Sequence, residues 1–189
     1  MSNIAFRTGH KVILRPFEIE DAPLIAPWMN DPEITQFLMR SMPVSLGEEE
    51  EWIRKQRKQK DNSVTLAIVA KQDRVLIGSI GLHNIDWVHG RATTGTVIGD
   101  AEYHGKGYGT DAKMLLLEAA FNQLNLRKVC STVHAFNGRS IRYGEKCGYV
   151  EEGRLKDHNF INGKYVDEVR MAVFRDNWLP LWKKYRKGL

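Results

Sequence analysis

The chain has 189 residues, 42% hydrophobic and 27% charged, with a formal net charge of +5. This size and balance predict one domain that buries its own core. Two cysteines, Cys130 and Cys147, exclude a disulfide framework and lack the spacing of metal ligands, so no metal is expected. No apolar run approaches the roughly 18 residues of a membrane helix. The first residues lack the basic, apolar and small-residue pattern of a secretory leader. A cytoplasmic enzyme or binding protein is expected, with no membrane partner. The densest basic cluster is "WKKYRKGL" at the end of the chain. It reads as a solvated helix end, where cations suit the negative dipole, so nucleic acid is not an expected partner.

In chain order, "HKVILRPF" predicts a first strand. "IEDAPLIAPWMND" predicts a short helical region that Pro27 interrupts. "SLGEEEEWIRKQRKQK" predicts a helix opened by a capping box, with Ser45 three residues before Glu48. Its acids read as a solvated face, since Glu50 and Glu51 stand four residues before Arg54 and Lys55. "VTLAIVA", "RVLIGSIGL" and "RATTGTVIG" predict strands. A helix is expected from about Tyr108 to Leu124, then a strand over "RKVCSTVHA". "NGRSIRYGEKCG" predicts a helix that Asn137 caps at its start and Gly148 at its end. Asn162-Gly163 predicts a hairpin turn between two strands, and a short final helix starts near Asp176. The aromatics Phe37, Trp52 and Trp87 are assigned to the core rather than to a cleft. Strands mixed with helices predict an α/β (α+β) domain on one mixed sheet.

The stretch "AEYHGKGYGTDA" places three glycines directly before the predicted helix at Tyr108. A helix N-terminus leaves its first N–H groups without intrahelical partners, and with the macrodipole these make an anion site. Glycine lets the backbone approach a bulky phosphate, because no Cβ intervenes. A diphosphate cradle over Gly105 to Thr110, with Lys106 adding charge, is the expectation. The spacing is neither that of a dinucleotide fingerprint nor that of a P-loop.

The same stretch resembles the acyl-CoA-binding motif of the Gcn5-related N-acetyltransferase (GNAT) superfamily, Q/R-x-x-G-x-G/A. The motif falls on His104, Gly105, Lys106, Gly107, Tyr108 and Gly109, followed by Thr110. His104 departs from the Gln or Arg of the pattern. "NGRSIRYGEKCGYVEEGRL" is similar to the superfamily's downstream segment, on Asn137, Ser140, Glu145, Lys146, Gly148 and Tyr149. "FINGKYVDEVRM" resembles the last hairpin of a branch with ribosomal-protein N-terminal alanine acetyltransferases and spermidine N-acetyltransferases. The resemblance implies a single N-acetyltransferase domain over residues 1–189, with a core from about 12 to 178. It implies a mostly antiparallel sheet of about seven strands, flanked by about four helices. It also implies acetyl transfer from acetyl-CoA to an amine. Backbone N–H groups near Val97, Ile98 and Gly99 would face the thioester carbonyl. Asn137, Ser140 and Tyr143 would line the cofactor arm.

Two departures from the family pattern concern proton transfer. Thr93 stands where many relatives carry a glutamate, and Gly144 where many carry a tyrosine. Tyr143, one position earlier, is rotated by about 100° along a helix and is expected to face elsewhere, along the cofactor. His83, His104, Asp86 and Glu102 are the candidate bases, and Tyr143, His83 and Glu102 are the candidate catalytic residues. A site short of a base favours an α-amino group, with a pKa of about 8, over a lysine-like amine near ~10.4. The expected acceptor is therefore a protein or peptide N-terminus. The alternatives are a polyamine or other small amine, and a module that binds acyl-CoA without turnover. A homodimer is a further expectation.

Overall fold

The computed structural model describes residues 4–39, 42–56 and 62–189. The elements run β1 (Arg7–Thr8), β2 (Val12–Arg15), α1 (Ala22–Asn30), α2 (Pro32–Thr35), α3 (Leu46–Gln56), β3 (Val64–Ala70), β4 (Leu76–Asp86), β5 (Arg91–Ile98), α4 (Tyr108–Glu118), β6 (Lys128–His134), α5 (Gly138–Lys146), β7 (Val150–Ile161), β8 (Lys164–Phe174) and α6 (Arg175–Arg186). The strands form one sheet in the order β1-β2-β3-β4-β5-β6-β8-β7. Every neighbouring pair is antiparallel except β5 with β6. Among the described residues there are eight strands and six helices, against the expected seven or so and four or so; the sequence signals no separate β1 or α2. The class is the expected one.

Strand alternation divides the core into two layers. Val12 and Leu14 of β2, with Leu66 and Ile68 of β3, pack on the face covered by α4 and α6. Ile13, Ala67 and Val69 point the other way, against Ile25 of α1 and Ile53 of α3. The period of two in these strands puts one residue into each layer in turn. Helix α4 lies inside the first layer, with every residue from Asp111 to Leu117 buried. At about 1.5–3 kcal/mol per fully buried aliphatic side chain, its Met114–Leu117 run is a main source of stability. Asp111 is buried there because its carboxylate accepts from the backbone N–H groups of His10, Lys11 and Val12 and from the Tyr185 hydroxyl. It ties the start of α4 to the β1–β2 turn and to α6.

Local signals mostly act as read. Glu48 Oε2 accepts from Ser45 N at 2.7 Å and Ser45 Oγ accepts from Glu48 N at 3.2 Å, the reciprocal capping box. Glu50–Arg54 and Glu51–Lys55 form the i,i+4 pairs. The last residues assigned to that helix, 57–60, lie outside the described residues. Asn162 and Gly163 both take positive φ, 50° and 79°, between β7 and β8, as a primed hairpin turn requires. Pro27, in contrast, does not interrupt α1, which continues to Asn30. Burial of Ile25 and Ala26 holds the helix through the lost hydrogen bond. The core assignment of three aromatics is also corrected. Trp87 is 53% exposed and Phe37 and Trp52 are half-buried, whereas Trp178 and Trp182 fill the core.

Candidate active site

The parallel pairing of β5 with β6 covers only Arg91 to Thr93 against Lys128 to Cys130. Beyond it the strands separate. β5 continues to Ile98 along β4, while β6 continues to His134 along β8. The gap opens into a cleft of about 1020 Å³ that reaches from the glycine loop past Thr93 and His83 to Trp52, Phe37, Glu33 and Glu168. The volume is at the upper end for small-molecule sites.

The glycine loop forms one end. Gly105 and Gly107 have φ of 72° and 87°, and Gly107 is the left-handed residue at the start of α4. A Cβ at Gly105 would meet nothing within 4 Å, and at Gly107 only Lys11 Cε at 3.9 Å. These glycines are therefore required by the backbone turn and leave the space above the loop open. Tyr108, Gly109 and Thr110, whose N–H groups open α4 without intrahelical partners, line that space. Lys11 approaches from β2's side, with Nζ donating to Lys106 O at 2.8 Å. His104 is not directed at an anion: its ring joins Ile98 O at 2.8 Å and Arg139 Nη1 at 3.1 Å. The arginine can only donate, so Nδ1 accepts and Nε2–H donates to the Ile98 carbonyl. Arg139, unremarked in the sequence, supplies a guanidinium at this end. A cation in the first turn of a helix opposes the dipole, and that was the legible signal.

Among the three expected backbone donors the structure distinguishes. Gly99 N–H donates to Ile77 O at 2.9 Å. Antiparallel ladders alternate, so Val97 also turns to β4, across from Ser79. Ile98 turns its N–H to the gap. Of the three N–H groups, only that of Ile98 is therefore turned away from β4. Asn137 is an N-cap, with Oδ1 accepting from Ser140 N at 3.0 Å. Its amide and Ser140 line the cleft.

Tyr143 lines the cleft beside the glycine loop. Its hydroxyl meets Thr96 Oγ1 at 2.8 Å, and its ring lies 3.6 Å from where a Gly109 Cβ would be. Burial, with a smaller contribution from Cys147, pushes its phenol well above the usual range, so it stays protonated. His83 lies across from Thr93 in the β4–β5 ladder, and both line the cleft. Desolvation, then the nearby Lys113 charge, lowers its pKa. Glu102 and Asp86 do not line the cleft. Glu102 sits in an exposed 3-10 turn (Ala101–Tyr103), and Asp86 is held by His89 N–H and Arg91 at the β4–β5 turn. The missing Gly144 side chain borders a second cavity of about 10 Å³, lined also by Lys113, Tyr149 and Met171.

At the far end, Glu168 is buried, with Oε2 accepting from Asn159 at 3.2 Å. Oε1 makes no hydrogen bond of regular geometry, but Arg170 Nε lies 2.6 Å away; the contact is an ion pair. The ring of Trp52 packs on Phe17 and that of Phe37 on Phe136. Among the described residues no cluster of His, Cys, Asp or Glu is placed to hold a metal.

The family model of the acetyltransferase (GNAT) domain matches residues 11–150, the stretch that builds the glycine loop, the gap and α5. The chain belongs to the GNAT acetyltransferase family. As a GNAT protein it is an N-acetyltransferase by family. It is 31% identical over 169 residues to spermidine N(1)-acetyltransferase of Vibrio cholerae, covering 89% of this chain and 96% of that one. It is 35% identical over 106 residues to a putative ribosomal N-acetyltransferase of Bacillus subtilis, 56% of this chain and 57% of that one. The crystal structure of the Vibrio cholerae spermidine N-acetyltransferase in complex with CoA and spermine superposes with a TM-score of 0.81 at 30% identity. That match covers 89% of this chain and 98% of the other.

Proposed function

We propose that this GNAT protein transfers an acetyl group from acetyl-CoA to a primary amine of a small, polyamine-like acceptor. The observation that carries the reading is the cleft itself. It runs from an open glycine loop, through a gap between two strands, to a wall with two carboxylates and two aromatic faces. The donor, when bound, supplies an activated thioester carbonyl. The residues fit it: the α4 N-terminus with Gly105 and Gly107, flanked by Lys11 and Arg139, suits a diphosphate. Ile98 N–H is the open donor of β5 for a carbonyl oxygen. Asn137 and Tyr143 line the path between. Glu33 and Glu168 at the far wall suit an ammonium, and Trp52 and Phe37 add ring faces that attract cations. The similarity to spermidine N(1)-acetyltransferases supports the same acceptor class.

A second reading, a protein or peptide N-terminus, is favoured by one contact. Arg170 at 2.6 Å offsets the charge of Glu168, which leaves Glu33 as the freer carboxylate. In α3, Glu48 is engaged by the capping box and Glu50 and Glu51 by Arg54 and Lys55, while Glu49 is buried rather than on the expected solvated face. Competition at pH 7 between spermidine and an unblocked peptide, with products weighed by mass spectrometry, separates the two. Acetylspermidine in excess is the expected result. Acetyl-peptide in excess overturns the small-amine assignment in favour of the second reading.

A further inference from the structure

Lys113 is the one side chain that borders both cavities and is charged in its ordinary state. It is 2% exposed, in the middle of a helix whose neighbouring residues are all buried. Its Nζ donates to Thr94 Oγ1 on β5 at 3.0 Å. The rings of Tyr143 and Tyr149 flank it at 5.3 and 5.5 Å. The titratable groups that face it are Tyr143 from α5, Cys147 and Tyr149 just beyond α5, and His83 from β4. None of these is a carboxylate. A buried ammonium is normally paired, because desolvation penalises its charge. Here burial lowers its pKa to about 7, with Cys147 opposing weakly. The small cavity adds polar groups: Tyr149 Oη, buried and without a hydrogen-bond partner, and the hydroxyl-bearing Ser131 and Ser140. Its volume is close to what one water needs, with several polar partners to hold it.

Resting on the acetyl-transfer reading above, we propose that Lys113 carries the proton of the reaction, a role not filled by Tyr143 or Glu102. The neutral amine of the acceptor forms the N–C bond as the C–S bond breaks. The proton released from the acceptor nitrogen passes to Nζ, directly or through one water. Nζ then returns it to the leaving sulfur. One proton moves from nitrogen to sulfur, and Lys113 ends neutral as it began, so no further reactant is required. Glu102 is outside the cleft, and the Tyr143 phenol stays protonated, so it has no free site to take a proton. His83 lies across from Thr93 on the cleft wall; the profile below distinguishes it from Lys113.

Two measurements test this. The first follows the Lys113 Cε and Nζ resonances by NMR from pH 5 to 11 in the wild-type protein, with a Lys113→Met spectrum for assignment. A midpoint near 7 is expected. A midpoint near that of an ordinary lysine, ~10.4, overturns the proposal whatever the enzyme does. The second is a pH–rate profile of kcat/KM with spermidine for wild type and Lys113→Met. Both the acceptor and Lys113 must be neutral, so the wild-type logarithmic slope is about two below pH 7 and one above. The variant is expected to lose about a hundredfold at pH 7.5 and to show slope one throughout. A merely structural lysine would leave the slope at two. A folded Lys113→Met protein with the wild-type profile overturns the role of Lys113 alone, and a slope change abolished instead by His83→Ala assigns the proton to His83. Wild type that releases no CoA thiol with any amine overturns the acetyl-transfer reading and this inference together.

Discussion

Gly107 stands where backbone strain meets the proposed anion site. Its φ of 87° costs any side-chain-bearing residue about 1–2 kcal/mol. Its Cβ direction is nevertheless open, with only Lys11 Cε at 3.9 Å. Gly107→Ala is therefore expected to lower stability by that amount, read by chemical denaturation, while weakening CoA only modestly. Gly107→Glu adds the same strain plus a negative charge at the mouth of the anion site. It is expected to weaken CoA at least about tenfold more than alanine does, or ~1.4 kcal/mol in calorimetry. Equal affinities in the two variants would mean that no anion sits above Gly107. The glycine was legible in the sequence as a cradle. That its first requirement is a left-handed backbone was not, because φ is not written in a residue's neighbours. Lys113 was legible in principle: a lone lysine on the inner face of an apolar run, in register with Leu116 and Leu117.

At the scale of elements, α5 carries an apparent defect. Gly144 lies inside the helix and is buried, at a cost of about 1 kcal/mol relative to alanine. A Cβ there would meet Tyr149 Cβ at 3.5 Å and Met171 at 3.7 Å, ordinary contacts. Gly144→Ala is thus expected to stabilise the fold by about 0.5–1 kcal/mol, seen as a higher denaturation midpoint with an unchanged slope. A destabilised variant would show that the space must stay open. Elements set by local chemistry were readable from the sequence: the capping box at Ser45, the Asn137 cap and the Asn162-Gly163 turn. Elements set by tertiary contact were not. Two-residue β1 exists only as a partner of β2, and α1 passes Pro27 because its face is buried. The opening of the β5–β6 gap depends on which strands pair, and no local pattern in "RATTGTVIG" or "RKVCSTVHA" encodes it.

For the whole molecule, burial of Lys113 links stability to pH. Its folded pKa, about 7, lies below the unfolded value of ~10.4, so between these the unfolded chain binds more protons. Stability then rises with pH across that window. The cost of burying the lysine is fully present below pH 7 and is relieved toward pH 10. His83, also lowered, acts in the same sense at more acid pH. Lys113→Met removes the charge and keeps the volume. It is expected to be more stable than wild type by a few kcal/mol at pH 6, with the difference shrinking steadily to pH 10. Parallel thermal midpoints across that range would contradict the buried-lysine assignment.

On the proposed reading the cleft performs acetyl transfer and is more than a holder for an acyl-CoA. The most direct measurement is release of free CoA thiol from acetyl-CoA against a panel of amines, including spermidine, a peptide with a free N-terminus and a lysine-like amine. Calorimetric CoA binding runs in parallel. The predicted result is CoA binding together with thiol release that depends on the amine, matched mole for mole by an acetylated acceptor. CoA binding with no release on any amine would contradict the claim and leave a binding module in its place.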